Sequence, residues 1–88
     1  MDPTQAFEAT IRREGAFTFI PLPFSPRDVW GRLPRYRVTG EVEGIEVGGT
    51  LGALGGDYFL RLSKAWLAAA GLDVGARVTV RLRVETAG

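Results

Sequence analysis

Histidine and cysteine are both missing from the 88 residues, and the two absences remove most familiar catalytic plans. Without them the chain builds no Ser-His-Asp or Cys-His constellation, no thiolate zinc site, no redox pair and no disulfide. Long apolar runs are missing as well: none approaches the roughly 20 residues that a membrane-spanning helix needs. The first residues also lack the basic start and apolar core of a secretory signal. The expected setting is therefore soluble and cytoplasmic, with no membrane partner. A strong excess of either charge is lacking too. Ten Arg and one Lys against ten acids leave a net charge of +1, so nucleic-acid binding has to rest on local patches. The preference for Arg over Lys, beside abundant Ala and Gly, points to a GC-rich bacterial source. A chain of this length buries only about two thirds of its unfolded surface, enough for one domain over residues 1–88 and no second core.

What the sequence does contain is an echo of itself. Arg37-Val38-Thr39 recurs forty residues later as Arg77-Val78-Thr79, and at the same offset Gly15 falls on Gly55, Phe19 on Phe59, Leu22 on Leu62 and Gly31 on Gly71. Seven identities in this 31-residue window exceed the roughly two or three that the composition supplies by chance. Each copy runs aromatic strand, Ser-capped short helix, glycine, basic strand. The chain thus reads as two related halves, about 15–45 and 55–85, closing one small body.

The local patterns fill in this outline. Phe7, Ala9 and Ile11 alternate with Glu8, Thr10 and Arg12 as a half-buried strand. After a turn at Glu14-Gly15, residues 16–22 read as a second strand that Pro21 and Pro23 push to an edge. Ser25 at the N-cap, Pro26 at N1 and Asp28 at N3 start a short helix, stapled by Phe24 and Val29 and closed by Gly31 and Pro34. Residues 35–43 alternate again, with Tyr36, Val38 and Val42 on one face. A turn at Glu43-Gly44 leads into a strand from Ile45 to about Leu51, while the stretch from Gly48 to Gly56 reads as a loose, glycine-heavy connection. Tyr58 to Leu62 is a strand, Ser63 caps a second helix that Gly71 ends, and Leu62 and Leu67 staple it. In the final strand Val78, Val80, Leu82 and Val84 alternate with Arg77, Thr79, Arg81 and Arg83.

The run Leu60-Arg61-Leu62-Ser63-Lys64, the short helix after it, Gly71-Leu72-Asp73-Val74-Gly75 and the basic strand to Val84 resemble domain-of-unknown-function family nineteen-oh-five. The resemblance extends upstream through Phe7-Glu8-Ala9-Thr10-Ile11, the segment from Phe17 to Pro23, and Arg37-Val38-Thr39-Gly40, and so covers nearly the whole chain. It implies a small closed β-barrel of the double-split type, the architecture associated with AbrB- and MazE-like transcription factors, in which two chains intertwine. Combined with the echo, it implies a monomer with pseudo-twofold symmetry. The chain departs from the family pattern between Gly48 and Gly56, which lacks the basic residues that many relatives carry there. The family has no agreed activity, so the resemblance supplies a fold and no mechanism.

Several constellations carry both a functional and a plain structural reading. The glycine stretch from Gly48 to Gly56 lacks the Lys-Ser or Lys-Thr and the following helix of a phosphate loop, which favours a hairpin connection over an anion cradle. Arg77, Arg81 and Arg83 form a basic stripe that either follows a phosphate backbone or pairs across strands with Glu41 and Glu43; the second reading is favoured. Arg12, Arg13, Arg27, Arg32 and Arg35 either form a second basic patch or are scattered, as surface arginines commonly are. Trp30, Tyr36, Tyr58 and Trp66 either line a cleft that stacks a planar ligand or complete the core, and Lys64 lies beside Trp66. Glu41, Glu43, Glu46 and Asp57 suggest a solvated face more than a hard-metal site. Ser25 and Ser63, the only serines, are both accounted for as caps.

The expectation is a mainly β fold: a small closed barrel of six or seven strands with two short helices. No catalytic residue, metal or cofactor is assigned. The leading function is a non-catalytic module that binds a small ligand or protein partner, with Trp30, Tyr36, Tyr58, Lys64 and Trp66 as ligand-binding candidates. Nucleic-acid binding through Arg77, Arg81 and Arg83 comes second. An enzyme comes last, because it would need Lys64 or a buried carboxylate in a true pocket.

Overall fold

The computed structural model describes residues 4–54 and 56–85; Gly55, one member of the internal echo, lies outside them. The chain forms β1 (Gln5–Thr10), β2 (Arg12–Glu14), β3 (Phe17–Pro21), α1 (Pro26–Trp30), β4 (Arg37–Val42), β5 (Ile45–Thr50), β6 (Gly52–Leu54), β7 (Asp57–Leu62), α2 (Lys64–Ala70) and β8 (Arg77–Val84). The strands make two four-stranded antiparallel sheets, one in the order β1-β8-β4-β5 and the other β2-β3-β7-β6. Among the described residues no helix is long and apolar enough to cross a membrane.

The period-two pattern decides which face each strand buries. In β8, Val78, Val80, Leu82 and Val84 point inward while Arg77, Thr79, Arg81 and Arg83 face water, as a strand with one solvated face requires. Val38, Val42, Val47 and Ala9 join them from the first sheet, and Ile20, Leu60 and Leu62 come from the second. These residues form one core between the sheets. Burying each large aliphatic side chain contributes about 1.5–3 kcal/mol, which must offset the ordering entropy of so short a chain.

The fold is mainly β as expected, but with eight strands among the described residues rather than six or seven, and the two sheets are not closed into a barrel. The extra strands arise where the chain bends. At Ile11 the backbone leaves the sheet ladders: its N–H donates to Ala76 O at 2.9 Å, and its carbonyl accepts from Gly75 N–H at 2.8 Å. At Leu51 the N–H donates to Tyr36 O at 2.8 Å. Each buried residue thus turns the chain from one sheet into the other. The stretch read as a loose connection after Gly48 is in fact the end of β5 and the whole of β6. Glycines carry no periodic signal, and their strand geometry is imposed by β4 and β7.

The helices differ in how they start. Ser63 Oγ accepts the Trp66 N–H at 3.0 Å, and Gly71 closes α2 in the left-handed conformation. Ser25 is the N-cap of α1 by position, yet its side chain makes no capping bond, which corrects the expectation of two equivalent caps. Pro26 at the first helical position supplies a fixed φ instead. Phe24 also packs edge-on against Trp30, with centroids 5.4 Å apart. Ser63→Ala is therefore expected to destabilise the protein by about 1 kcal/mol and Ser25→Ala by only a few tenths, read as shifts in urea midpoint. Equal shifts would contradict the asymmetry.

Candidate functional site

The outward face of the first sheet carries charge of both signs. Along β8, Arg77 Nε lies 3.2 Å from Glu8 Oε1 on β1, and Arg81 stands opposite Glu41 on β4. Arg83 stands opposite Thr39, not Glu43 as expected. Glu43 instead takes up the tight turn after β4 with φ 52°. There its carboxylate accepts the Thr79 backbone N–H at 2.6 Å, and its own N–H donates to Thr79 O at 2.9 Å. Arg37 faces Glu85 at 3.7 Å. These pairs are well exposed, so each adds little to stability. Their effect is to interleave the arginine stripe with carboxylates.

The outward face of the second sheet is built differently. Because β3 buries Ile20, its alternate residues Phe17, Phe19 and Pro21 point away from the core, and on β7 Phe59 and Arg61 do the same beside the buried Leu60 and Leu62. Antiparallel pairing sets these side chains in rows. Arg12 faces Phe19, which faces Arg61, and in the next row Pro21 faces Phe59, which faces Gly52. The Phe19 and Phe59 rings tilt together with centroids 5.4 Å apart. The Arg61 guanidinium lies 4.4 Å from the Phe17 ring centroid, a cation–π arrangement. Phe17 remains 49% exposed. A groove of about 680 Å³ runs over this face, with Glu14 and Asp57 at its margins and Tyr58 and Leu22 in its lining.

A second groove of about 680 Å³ opens between β5 and α2, lined by Arg37, Glu46, Gly48, Arg61, Ser63 and Trp66 among others. Arg61 lines both. The Trp66 indole N–H donates to Glu46 O at 2.8 Å, which anchors α2 over β5.

The structure separates the aromatic residues singled out from sequence. Tyr36 is buried, with its hydroxyl donating to Gly31 O at 2.7 Å and its ring edge-on to Tyr58 at 5.6 Å. Trp30 packs in a cluster with Phe24 and Phe7. Trp66 and Tyr58 reach different grooves, while Trp30, Tyr36 and Lys64 line neither. Among the described residues no group of three acids gathers closely enough to hold a metal ion. Sequence reasoning passed over Phe17, Phe19, Phe59 and Arg61 as site residues, and weighed Arg12 only as one member of a second basic patch. Their signal was present in Phe17-Thr18-Phe19-Ile20-Pro21, a strand apolar on both faces, but only the fold says which face turns outward.

No curated protein matches the chain. Its sequence does match a family model over residues 7–82, which takes in every strand described above except the first two residues of β1 and the last two of β8. The chain belongs to the family described as Domain of unknown function (DUF1905).

Proposed function

We propose that the chain is a single, non-catalytic binding domain of two pseudo-equivalent halves, and that its ligand lies on the outer face of the second sheet. The observation that carries this reading is the contrast between the two outward faces. One is polar and mixed in charge, as a solvated sheet face is. The other offers Phe17, Phe19, Phe59 and Pro21 above a groove, and a rimmed aromatic surface of this kind is characteristic of recognition sites.

Chemistry by the chain's own side chains finds little support. Ser63 Oγ is engaged as a cap, Lys64 is exposed in the first turn of α2, and no His or Cys is available to activate a nucleophile. Duplex binding through Arg77, Arg81 and Arg83 is disfavoured by Glu8 and Glu41 beside them.

The equivalence of the halves is supported by the strand registers. Thr10 faces Arg77 where, forty residues on, Thr50 faces Arg37. Arg12 faces Phe19 as Gly52 faces Phe59. Ile11 N–H bonds to Ala76 O as Leu51 N–H bonds to Tyr36 O. A twofold axis relating the halves would pass through the pairs Ile20 with Leu60 and Glu41 with Arg81. The halves differ where ligands would bind. Phe7, at the place of Val47, packs on Phe24 in the first half, whereas Val47 lines an open groove in the second.

Backbone amide shifts on titration with planar aromatic fragments test the reading. They are expected to cluster on β3 and β7. Clustering on the charged face of the first sheet would refute it.

A further inference from the structure

We infer that the aromatic face of the second sheet binds single-stranded nucleic acid, with bases stacked on Phe19 and Phe59 and phosphates held by Arg12 and Arg61; the inference rests on the binding-module reading above. The sheet has four antiparallel strands, and the outward rings, Phe17 exposed and Phe19 and Phe59 half-buried, stand on its two central ones, β3 and β7. This is the arrangement by which four-stranded sheets stack unpaired bases. A base offers its π-face only when it is out of a duplex, so a stacking surface selects single strands.

Details of the face fit that occupant. Phe19 is flanked in register by an arginine on each neighbouring strand, Arg12 on β2 and Arg61 on β7. A base on Phe19 therefore has a cation on either side for its phosphates. Arg61 already lies on Phe17 at 4.4 Å, and a guanidinium stacked on one side keeps its other side and its edge N–H groups for a base or phosphate. The Phe59 ring reaches across Gly52: a Cβ at Gly52 would sit 2.4 Å from Phe59 Cζ. The absent side chain at Gly52 leaves the space that the ring occupies over β6.

The same details limit the electrostatic part. Glu14, opposite Phe17, and Asp57, in the β6–β7 hairpin, offset the two arginines, so binding leans on stacking. Two phosphate contacts at about −0.7 each give a slope of log K against log salt of about −1.4. That is shallow for a nucleic-acid binder and separates this face from the arginine stripe of β8.

The test is fluorescence anisotropy of labelled oligothymidylate, oligouridylate and a duplex of equal length, titrated with the full chain across a salt series. Single strands are expected to bind with the shallow slope and the duplex at least tenfold more weakly. Phe19→Leu, which keeps apolar volume but removes the π-face, should weaken single-strand binding roughly tenfold to a hundredfold. Gly52→Ala, which removes no contacting group, should weaken it by lifting Phe59. A folded Phe19→Leu protein that binds as wild type overturns the inference, and so does a duplex bound as well as the single strand. Absence of single-strand binding at low salt also overturns it. In that case, fragment-induced shifts still clustering on β3 and β7 would leave the binding module standing and remove only the nucleic-acid occupant. Self-association in sedimentation that Phe17→Glu abolishes would name a second copy as the occupant instead, and overturn it as well.

Discussion

Replacing Gly40 with alanine is expected to destabilise the protein by about 3 kcal/mol or more, the largest effect of any single methyl added here. Gly40 sits within β4, between Val47 on β5 and Leu82 on β8. A Cβ built there falls 1.8 Å from Arg81 O and 2.8 Å from Arg81 C. Both are backbone atoms of a central strand, so no side-chain rotation relieves the overlap. The dihedrals of Gly40 are not the obstacle, since it lies outside the positive-φ residues; what forbids the side chain is space. Relief requires β4 and β8 to part, which loosens a ladder running from Val38 with Val84 to Val42 with Val80. A domain of this length has a total stability of only about 4–13 kcal/mol, so the loss is a large share of it. Urea unfolding measures it, with Gly48→Ala as the milder comparison, because a Cβ there meets its nearest atom, Val38 O, at 3.2 Å. A cost below about 1 kcal/mol for Gly40→Ala would mean that the two strands separate far more easily than their pairing implies.

Leu60→Ala should come next, at about 3 kcal/mol within the 2–5 kcal/mol typical of buried leucine truncations. Leu60 is 1% exposed and pairs with the fully buried Ile20 at the centre of the second sheet. Its Cδ1 comes within 4.0 Å of where a Gly49 side chain would begin, so it spans the gap between β7 and β5. Truncation leaves a void between two sheets that are each held rigid by their own ladders and close poorly over it. Leu60→Met keeps the volume and should cost less than about 1.5 kcal/mol. Val74→Ala, at a residue 44% exposed, should stay within about 0.5 kcal/mol. A Leu60→Ala protein as stable as the Val74→Ala protein would place the weight of the core elsewhere.

These two sites mark where the sequence was readable and where it was not. The strand of Leu60 was legible as Tyr58 to Leu62, ended by the Ser63 cap, although only the fold decided that Leu60 and not Phe59 turns inward. Gly40 was not, because a glycine inside a strand looks alike whether it is tolerated or required, and only the approach of Arg81 O distinguishes the two. The same division runs through the candidate site. The outward arginines of β8 were legible from strict alternation with Val78, Val80, Leu82 and Val84. Their neighbours were only half so: Glu41 stands opposite Arg81 in strand register, whereas Glu43 turned away to bind Thr79, since a residue at φ 52° leaves the pleat. Trp66 and Tyr58 were correctly marked as aromatics beside helix and strand, yet they lie in different grooves.

By itself the sequence determined the strand alternation, the two helix starts and stops, the forty-residue echo and the exclusion of histidine and cysteine chemistry. Each of these is written in local spacing or in composition. The tertiary structure alone decided that Ile11 and Leu51 turn the chain between sheets, that Gly52 to Leu54 is a separate strand, and that Phe17, Phe19 and Phe59 face outward beside Arg12 and Arg61. The reason is physical. A strand apolar on both faces, or built of glycine, has no preferred side of its own. Its side is chosen by the partner strand that completes its hydrogen bonds and by the core that receives Ile20 and Leu60.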